Sequence, residues 1–359
     1  MDPADVALER EREALRDWLE AHGASPEQAE AGAGAASRIG DASGVAADLV
    51  LGRGVTLTAR QLADRAGVRL DQLLGGWRDL GIAVADVDRP QFTEADARAA
   101  VGRLQAMAEG LDTLSELNQV VAGALERIAE AAVALYVQGP EEDLRRGGAS
   151  LVEHAEKTTK AVELALVLGV TLAPIFRHHM RQAIERSRVT RSGVSRTELA
   201  RLAIGFVDLV GSTSVQARLD PAELREMVTR FESRAFEITA AGGGRLVKFI
   251  GDEIMVAAVD PVAGCRIVLD LVEAFADDGG RQPRGGLVFG EVLFRHGDYY
   301  GPVVNLAARL VDTAIPGEVL VDASVVDEAK DEDLSFEPAG RRLLHGFDHP
   351  VVVWSLAAT

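Results

Sequence analysis

The chain has 359 residues, with 38 lysines and arginines against 56 aspartates and glutamates, a formal charge of −18 and an apolar share of 47%. At about 100–200 residues per domain this length makes two or three domains, and the apolar share excludes a wholly disordered chain. The acidity excludes a general nucleic-acid coat, and a single cysteine, Cys265, excludes a disulfide framework or a multi-cysteine zinc site.

In chain order, the opening MDPADVALEREREALRDW is charged throughout and shows no signal peptide. Up to about residue 190, Ala, Leu and Glu recur at spacings of three and four, which predicts an all-α region. Residues 57–68 followed by 69–80 read as a capped helix, a Gly-Val turn and a second helix, similar to the helix-turn-helix of MerR-like regulators. Seven arginines and seven acids balance over residues 55–105, so phosphate contacts are not provided for and a packing or regulatory module is the better reading. Long helices are predicted over 111–136 and 151–188, separated by Gly139-Pro140 and Gly147-Gly148. The longest apolar run, 164–176, contains Pro174 and is shorter than the ~20 residues needed to span a bilayer. It is expected to be a buried helix and not a membrane anchor, with a pocket for a lipid-like effector as the lesser alternative. His178 and His179 follow it, either as solvated residues or as groups that respond to acidification. Residues 186–196 are polar, basic and carry Gly193, as a linker would.

Beyond the linker, short apolar strands alternate with helices. Strands are expected over 202–208, 245–250, 253–258, 285–294 and 318–321, with a terminal pair over 334–344 and 351–356. Helices are expected over 221–240 and 261–276, each opened by an aspartate cap and a proline, and over 302–313. The order β-α-β-β-α-β with additions predicts a ferredoxin-like sheet carrying helices on one face. The class is α+β, with residues 1–190 as a helical domain, 191–198 as linker and 199–359 as a second domain.

Three stretches concentrate chemistry. In Phe206-Val-Asp-Leu-Val-Gly-Ser-Thr213, Asp208 ends an apolar strand, and Gly211, Ser212 and Thr213 form a turn towards a helix. Turn N–H groups suit phosphate and a carboxylate beside them suits Mg²⁺, although a helix cap with a solvated aspartate gives the same pattern. In Lys248-Phe-Ile-Gly-Asp-Glu253, Asp252 sits at a hairpin tip. If its strand lies beside 202–208, Asp208 and Asp252 converge into a two-ion site. Lys248 is one of only four lysines against 34 arginines, so a compact point charge has been kept where arginine is the chain's habit. In Asp298-Tyr-Tyr-Gly-Pro-Val-Val-Asn305-Leu-Ala-Ala-Arg309, Asn305 and Arg309 share a helical face suited to a ribose and a phosphoryl group, as ordinary amphipathic helices also do.

Together these stretches resemble the catalytic domain of class III nucleotidyl cyclases over roughly residues 199–356. The resemblance implies that Asp208 and Asp252 bind two Mg²⁺ or Mn²⁺ ions, one activating the ribose 3′-hydroxyl and one holding the triphosphate. It implies that Lys248 and Asp298 read adenine, that Asn305 orients the ribose, and that Arg309 stabilises charge on the α-phosphoryl group. It further implies a homodimer with shared sites, Asp208 and Asp252 of one subunit facing Lys248, Asp298, Asn305 and Arg309 of the other. Where the family often shows Leu-Lys-Gly, this chain has Leu344-His345-Gly346, so His345 is either a pH-sensitive phosphate contact or a solvated turn residue. The helical first half looks like the N-terminal regulatory regions of actinobacterial members, and autoinhibition is the expected mode of regulation. The expected protein is a cytoplasmic adenylate cyclase that takes ATP, inserts in no membrane and binds no nucleic acid. A DNA- or partner-binding regulator with a cyclase-like dimerisation domain is the alternative. A diguanylate cyclase is disfavoured because Gly251-Asp252-Glu253 lacks the doubled glycine.

Overall fold

The structure, a computed structural model, describes residues 3–108, 114–136, 148–190, 199–210, 219–276, 282–329, 331 and 333–359. The expected linker 191–198 lies outside them. The chain divides into two compact units, residues 1–178 and 179–359.

The first unit is built from helices α1 (Pro3–Ala21), α2 (Pro26–Ile39), α3 (Ser43–Leu51), α4 (Ala59–Ala66), α5 (Leu70–Asp79), α6 (Glu94–Ala108), α7 (Leu114–Tyr136) and the 40-residue α8 (Leu151–Thr190), which continues past the unit's last residue. Two short strands, β1 (Val55–Leu57) and β2 (Phe92–Thr93), pair antiparallel, so the region is helical but not wholly α. The expected helix-turn-helix is α4–α5: Thr58 and Gln61 form a reciprocal capping box, and Gly67 ends α4 at φ 70°, the left-handed geometry a glycine accepts without strain.

The expectation that residues 164–176 are buried is wrong for this chain. The core of α1–α3 takes in only the first turns of α8, through Leu151 and Ala155. A 40-residue helix is roughly 60 Å long, and beyond those turns its apolar side chains stay exposed, Leu164 at 71%, Val170 at 78% and Phe176 at 61%. Apolarity indicated burial, but burial needs a partner surface, and among the described residues none covers these side chains. Among the described residues, Leu151–Glu185 is the one helix long and apolar enough to cross a membrane.

The second unit is an eight-stranded sheet, with β3 (Leu199–Val210), β4 (Arg245–Ile250), β5 (Glu253–Ala258), β6 (Gln282–Arg295), β8 (Val319–Val321), β9 (Leu334–Arg342) and β10 (Val351–Ala358) in the order β4-β5-β3-β6-β8-β10-β9, and β7 (Asp298–Tyr300) paired to β6. Its first four strands in that order form the antiparallel ferredoxin-like arrangement. The expectation of helices on one face is corrected, because both faces are covered. Ala203, Val207 and Leu209 face α9 (Pro221–Ala241) and α10 (Pro261–Phe275), while Leu202, Ile204 and Phe206 face α11 (Pro302–Thr313). A short helix, α12 (Ala323–Glu328), adds Val325 to the first core. The signal was already present in Leu202–Val207, an unbroken apolar run without the alternation of a half-exposed strand. At Gly286 a Cβ would stand 2.6 Å from Val311 N and 2.7 Å from Ala307 O, so the missing side chain lets α11 lie directly on β6.

Candidate active site

β4 and β5 are joined by Gly251 and Asp252, with Ile250 paired to Glu253 and Gly251 at φ 66°, the positive φ that a two-residue hairpin turn uses. β5 lies beside β3 with Asp208 opposite Glu253, so the turn carrying Asp252 ends at the level of Asp208. The strand pairing on which the expected convergence depended is present, and the two aspartates lie at the same end of the sheet. Across β3's other edge, Asp208 is opposite Arg284, whose Nε and Nη2 donate to Asp208 Oδ2 at 2.9 and 2.7 Å. Arg284 Nη1 donates to the Asp312 carbonyl at 2.8 Å, which fixes the guanidinium against the end of α11.

The cluster is crowded with negative charge. Glu253 has its carboxyl pushed up to about 7, first by burial and then by Asp208, Asp312 and Asp252, with Arg284 opposing. On α11, Arg309 Nη1 donates to Asp312 Oδ2 at 2.9 Å, which ties Arg309 to the same acidic group, while Asn305 is exposed one turn earlier. Lys248 and Asp298 form a separate constellation on β4 and β7. Their side chains make an ion pair through Lys248 Nζ and Asp298 Oδ2, and Asp298 Oδ1 accepts the Tyr299 N–H at 2.8 Å. Gly211, Ser212 and Thr213 lie outside the described residues. His345 is exposed in the turn after the buried Leu344.

Residues 1–184 match the adenylate cyclase regulatory domain family. The chain is 33% identical to an uncharacterized protein of Mycobacterium tuberculosis, over 99% of this chain and 93% of that one. It is 36% identical to an adenylate cyclase of Streptomyces coelicolor over 78% of this chain and 73% of that one. A further adenylate cyclase, from Glutamicibacter nicotianae, is 34% identical over 76% of this chain and 72% of that one. The chain belongs to the class III adenylate cyclases with an N-terminal regulatory domain.

Three polar residues of this candidate site were not legible in the sequence. Arg284 stands just before the apolar part of β6 and gains meaning only from its pairing with Asp208. Glu253 follows the hairpin tip, and Asp312 sits three residues after Arg309, a helical spacing that could have flagged it.

The donor chemistry fits a hard divalent cation. Carboxylates packed until one of them keeps its proton to about 7 are relieved by added positive charge. Among the described residues no three His, Cys, Asp or Glu side chains form a ready cage. Two carboxylates without a cage are what Mg²⁺ takes when substrate phosphates and water complete its shell. Asp208 and Asp252 are the residues that would hold it.

A stability test follows from Glu253. Its folded-state value is raised above the ordinary 4.5, so the folded chain binds more protons between pH 4.5 and about 7. That contribution is present below pH 4.5 and is lost as pH rises through 7. The side chain is partly exposed, so the discounted effect is about 1 kcal/mol, or about 2–4 °C in a unit of this size. Glu253→Gln is therefore expected to gain melting temperature over the native chain at pH 8 and not at pH 4.5, in buffer without divalent cations. An equal difference at both pH values would remove this account of Glu253.

Proposed function

We propose that this adenylate cyclase converts ATP to 3′,5′-cyclic AMP and pyrophosphate, by in-line attack of the ribose 3′-oxygen on the α-phosphorus. The observation that carries the reading is the convergence of Asp208 and Asp252 at one end of the sheet, in a cluster electrostatically prepared for cations. Two divalent ions, Mg²⁺ or Mn²⁺, would there supply acidity to the 3′-hydroxyl and neutralise the triphosphate. The chain's own residues do the positioning. Lys248 and Asp298, already paired, present a donor and an acceptor to the adenine edge. Asn305 orients the ribose. Arg309, and Gly211, Ser212 and Thr213 through their N–H groups, meet phosphoryl oxygens, Arg309 stabilising the charge that develops on the α-phosphoryl group. The test is product analysis of purified chain with ATP and with GTP. Cyclic AMP and pyrophosphate in equal amounts from ATP, with slower turnover of GTP, is the expected result. Binding of nucleotide with no pyrophosphate released would favour a sensing role instead.

The active form in this proposal is a cytoplasmic homodimer with two shared sites. It is supported by the exposure of Asn305 and by apolar side chains left at the surface of the second unit, Phe294 and Tyr300 among them. The N-terminal unit is proposed to regulate by autoinhibition, with pH or a lipid-like effector as the signal. Support comes from the regulatory-domain match and from the exposed apolar face of α8, which continues into His178 and His179. A fragment of residues 195–359 is expected to exceed the full chain in activity at one end of pH 5.5–8 and to converge with it at the other. Equal activity throughout would leave the N-terminal unit without a regulatory role.

A further inference from the structure

The lysine of β4 stands beside a defect in the strand. Leu246 and Lys248 are paired with Val256 and Met255, which are adjacent on β5, so Val247 is an extra residue and β4 bulges. In a regular strand, residues three apart point to opposite faces. The bulge returns Arg245 and Lys248 to the same face, opposite Ala257 and Met255, both of which belong to the core beneath α11.

Arg245 uses that position to hold the β6–β7 hairpin. Its Nη2 donates to the Gly297 carbonyl at 2.7 Å and its Nη1 to the Tyr299 hydroxyl at 3.2 Å. The guanidinium also lies 5.4 Å from the Tyr299 ring centroid and 5.8 Å from that of Phe294, and the two rings pack against each other at 5.3 Å. Gly297 and Tyr299 are the residues on either side of Asp298. The hairpin needs such a hold. β7 has three residues, its turn runs through His296 at φ 53° and Gly297 at φ 81°, and a short two-stranded ribbon is marginal by itself.

We infer that Arg245 is a positioning residue for purine recognition: brought beside Lys248 by the Val247 bulge, it clamps both neighbours of Asp298 and so holds that carboxylate against the lysine. The inference rests on the reading of Lys248 and Asp298 as the pair that meets the base. A planar fork reaching a carbonyl, a hydroxyl and two rings at once cannot be replaced by an ammonium, so Arg245→Lys should fail as Arg245→Ala does.

The experiment uses the full chain and four variants: Arg245→Ala, Arg245→Lys, the milder Tyr299→Phe, and Asp298→Ala as reference. Amide hydrogen exchange is read at residues 297–300 and in β8 and β10, together with KM and kcat for ATP and GTP. Loss of charge-assisted bonds to both flanks of Asp298 should raise the KM for ATP about tenfold while kcat changes less, and should narrow the preference for ATP over GTP. Exchange should quicken at 297–300 and stay unchanged in β8 and β10, with Tyr299→Phe intermediate. Unchanged exchange at 297–300 in both Arg245 variants overturns the clamp. So does a preference that shifts in Asp298→Ala but not in the Arg245 variants. If Asp298→Ala leaves the preference intact, the purine reading fails separately, and quickened exchange at 297–300 alone then supports the clamp.

Discussion

Asp208→Asn is expected to lower cyclic AMP formation from ATP by at least about a thousandfold, while the melting temperature stays within a few degrees of the native chain's. The size follows from what the carboxylate is asked to do. Removing one preorganised electrostatic partner from a transition state costs about 10²–10³ in rate. Here the same carboxylate would also be one of only two that hold cations on a substrate carrying several negative charges. Asparagine keeps the shape and still accepts from Arg284, which is anchored independently to the Asp312 and Ala314 carbonyls. Relief of crowding around Glu253 partly offsets the weakened bond to the guanidinium, because Asp208 is the largest charge raising that carboxyl. A radiolabelled ATP assay with Mg²⁺ and with Mn²⁺ reads the activity, and thermal unfolding checks the fold. A variant that folds and retains a tenth of native turnover would exclude Asp208 from the metal site.

Much of the catalytic unit could be read from its sequence because its elements announce themselves locally. Asp220 and Asp260 each accept a backbone N–H at the start of their helix, with proline at the first helical turn, as their spacing predicted. Gly251-Asp252 closes the hairpin between the two expected strands. What escaped depends on tertiary pairing. β7 has three residues and exists because Arg245 and the β6 edge hold it, so no local period marks it. The second helical face of the sheet follows from the two-sided apolarity of β3, which the order of elements alone does not carry. Arg284 became part of the site only when strand register placed it opposite Asp208. The apolar length of α8 pointed to burial, yet Leu164, Val170 and Phe176 are exposed, because composition carries no information on a partner surface.

Co-expressed Asp208→Ala and Arg309→Ala chains are expected to recover about a quarter of native activity, although each variant alone is inactive. In a two-fold symmetric dimer with sites shared across the interface, a mixed pair places both lesions in one site and leaves the other whole. At equal expression roughly half the dimers are mixed and each has one competent site, which gives the quarter by simple statistics for an isologous pair. The contacts within one chain make the outcome decisive. Arg309 is bonded to Asp312, and Asp312 is close enough to Glu253 to raise its carboxyl, so one chain's own acidic cluster and arginine are electrostatically joined. A site completed inside a single chain would use that junction, and mixing could then restore nothing, because every site would carry one lesion. A shared site requires Arg309 to exchange Asp312 for the partner's nucleotide, an exchange made cheap by the exposure of an ion pair on the surface of α11. Tagging the two variants differently and purifying through both tags isolates mixed dimers, in which half of native activity is expected. Inactive mixed dimers would place Asp208 and Arg309 of each site in one subunit.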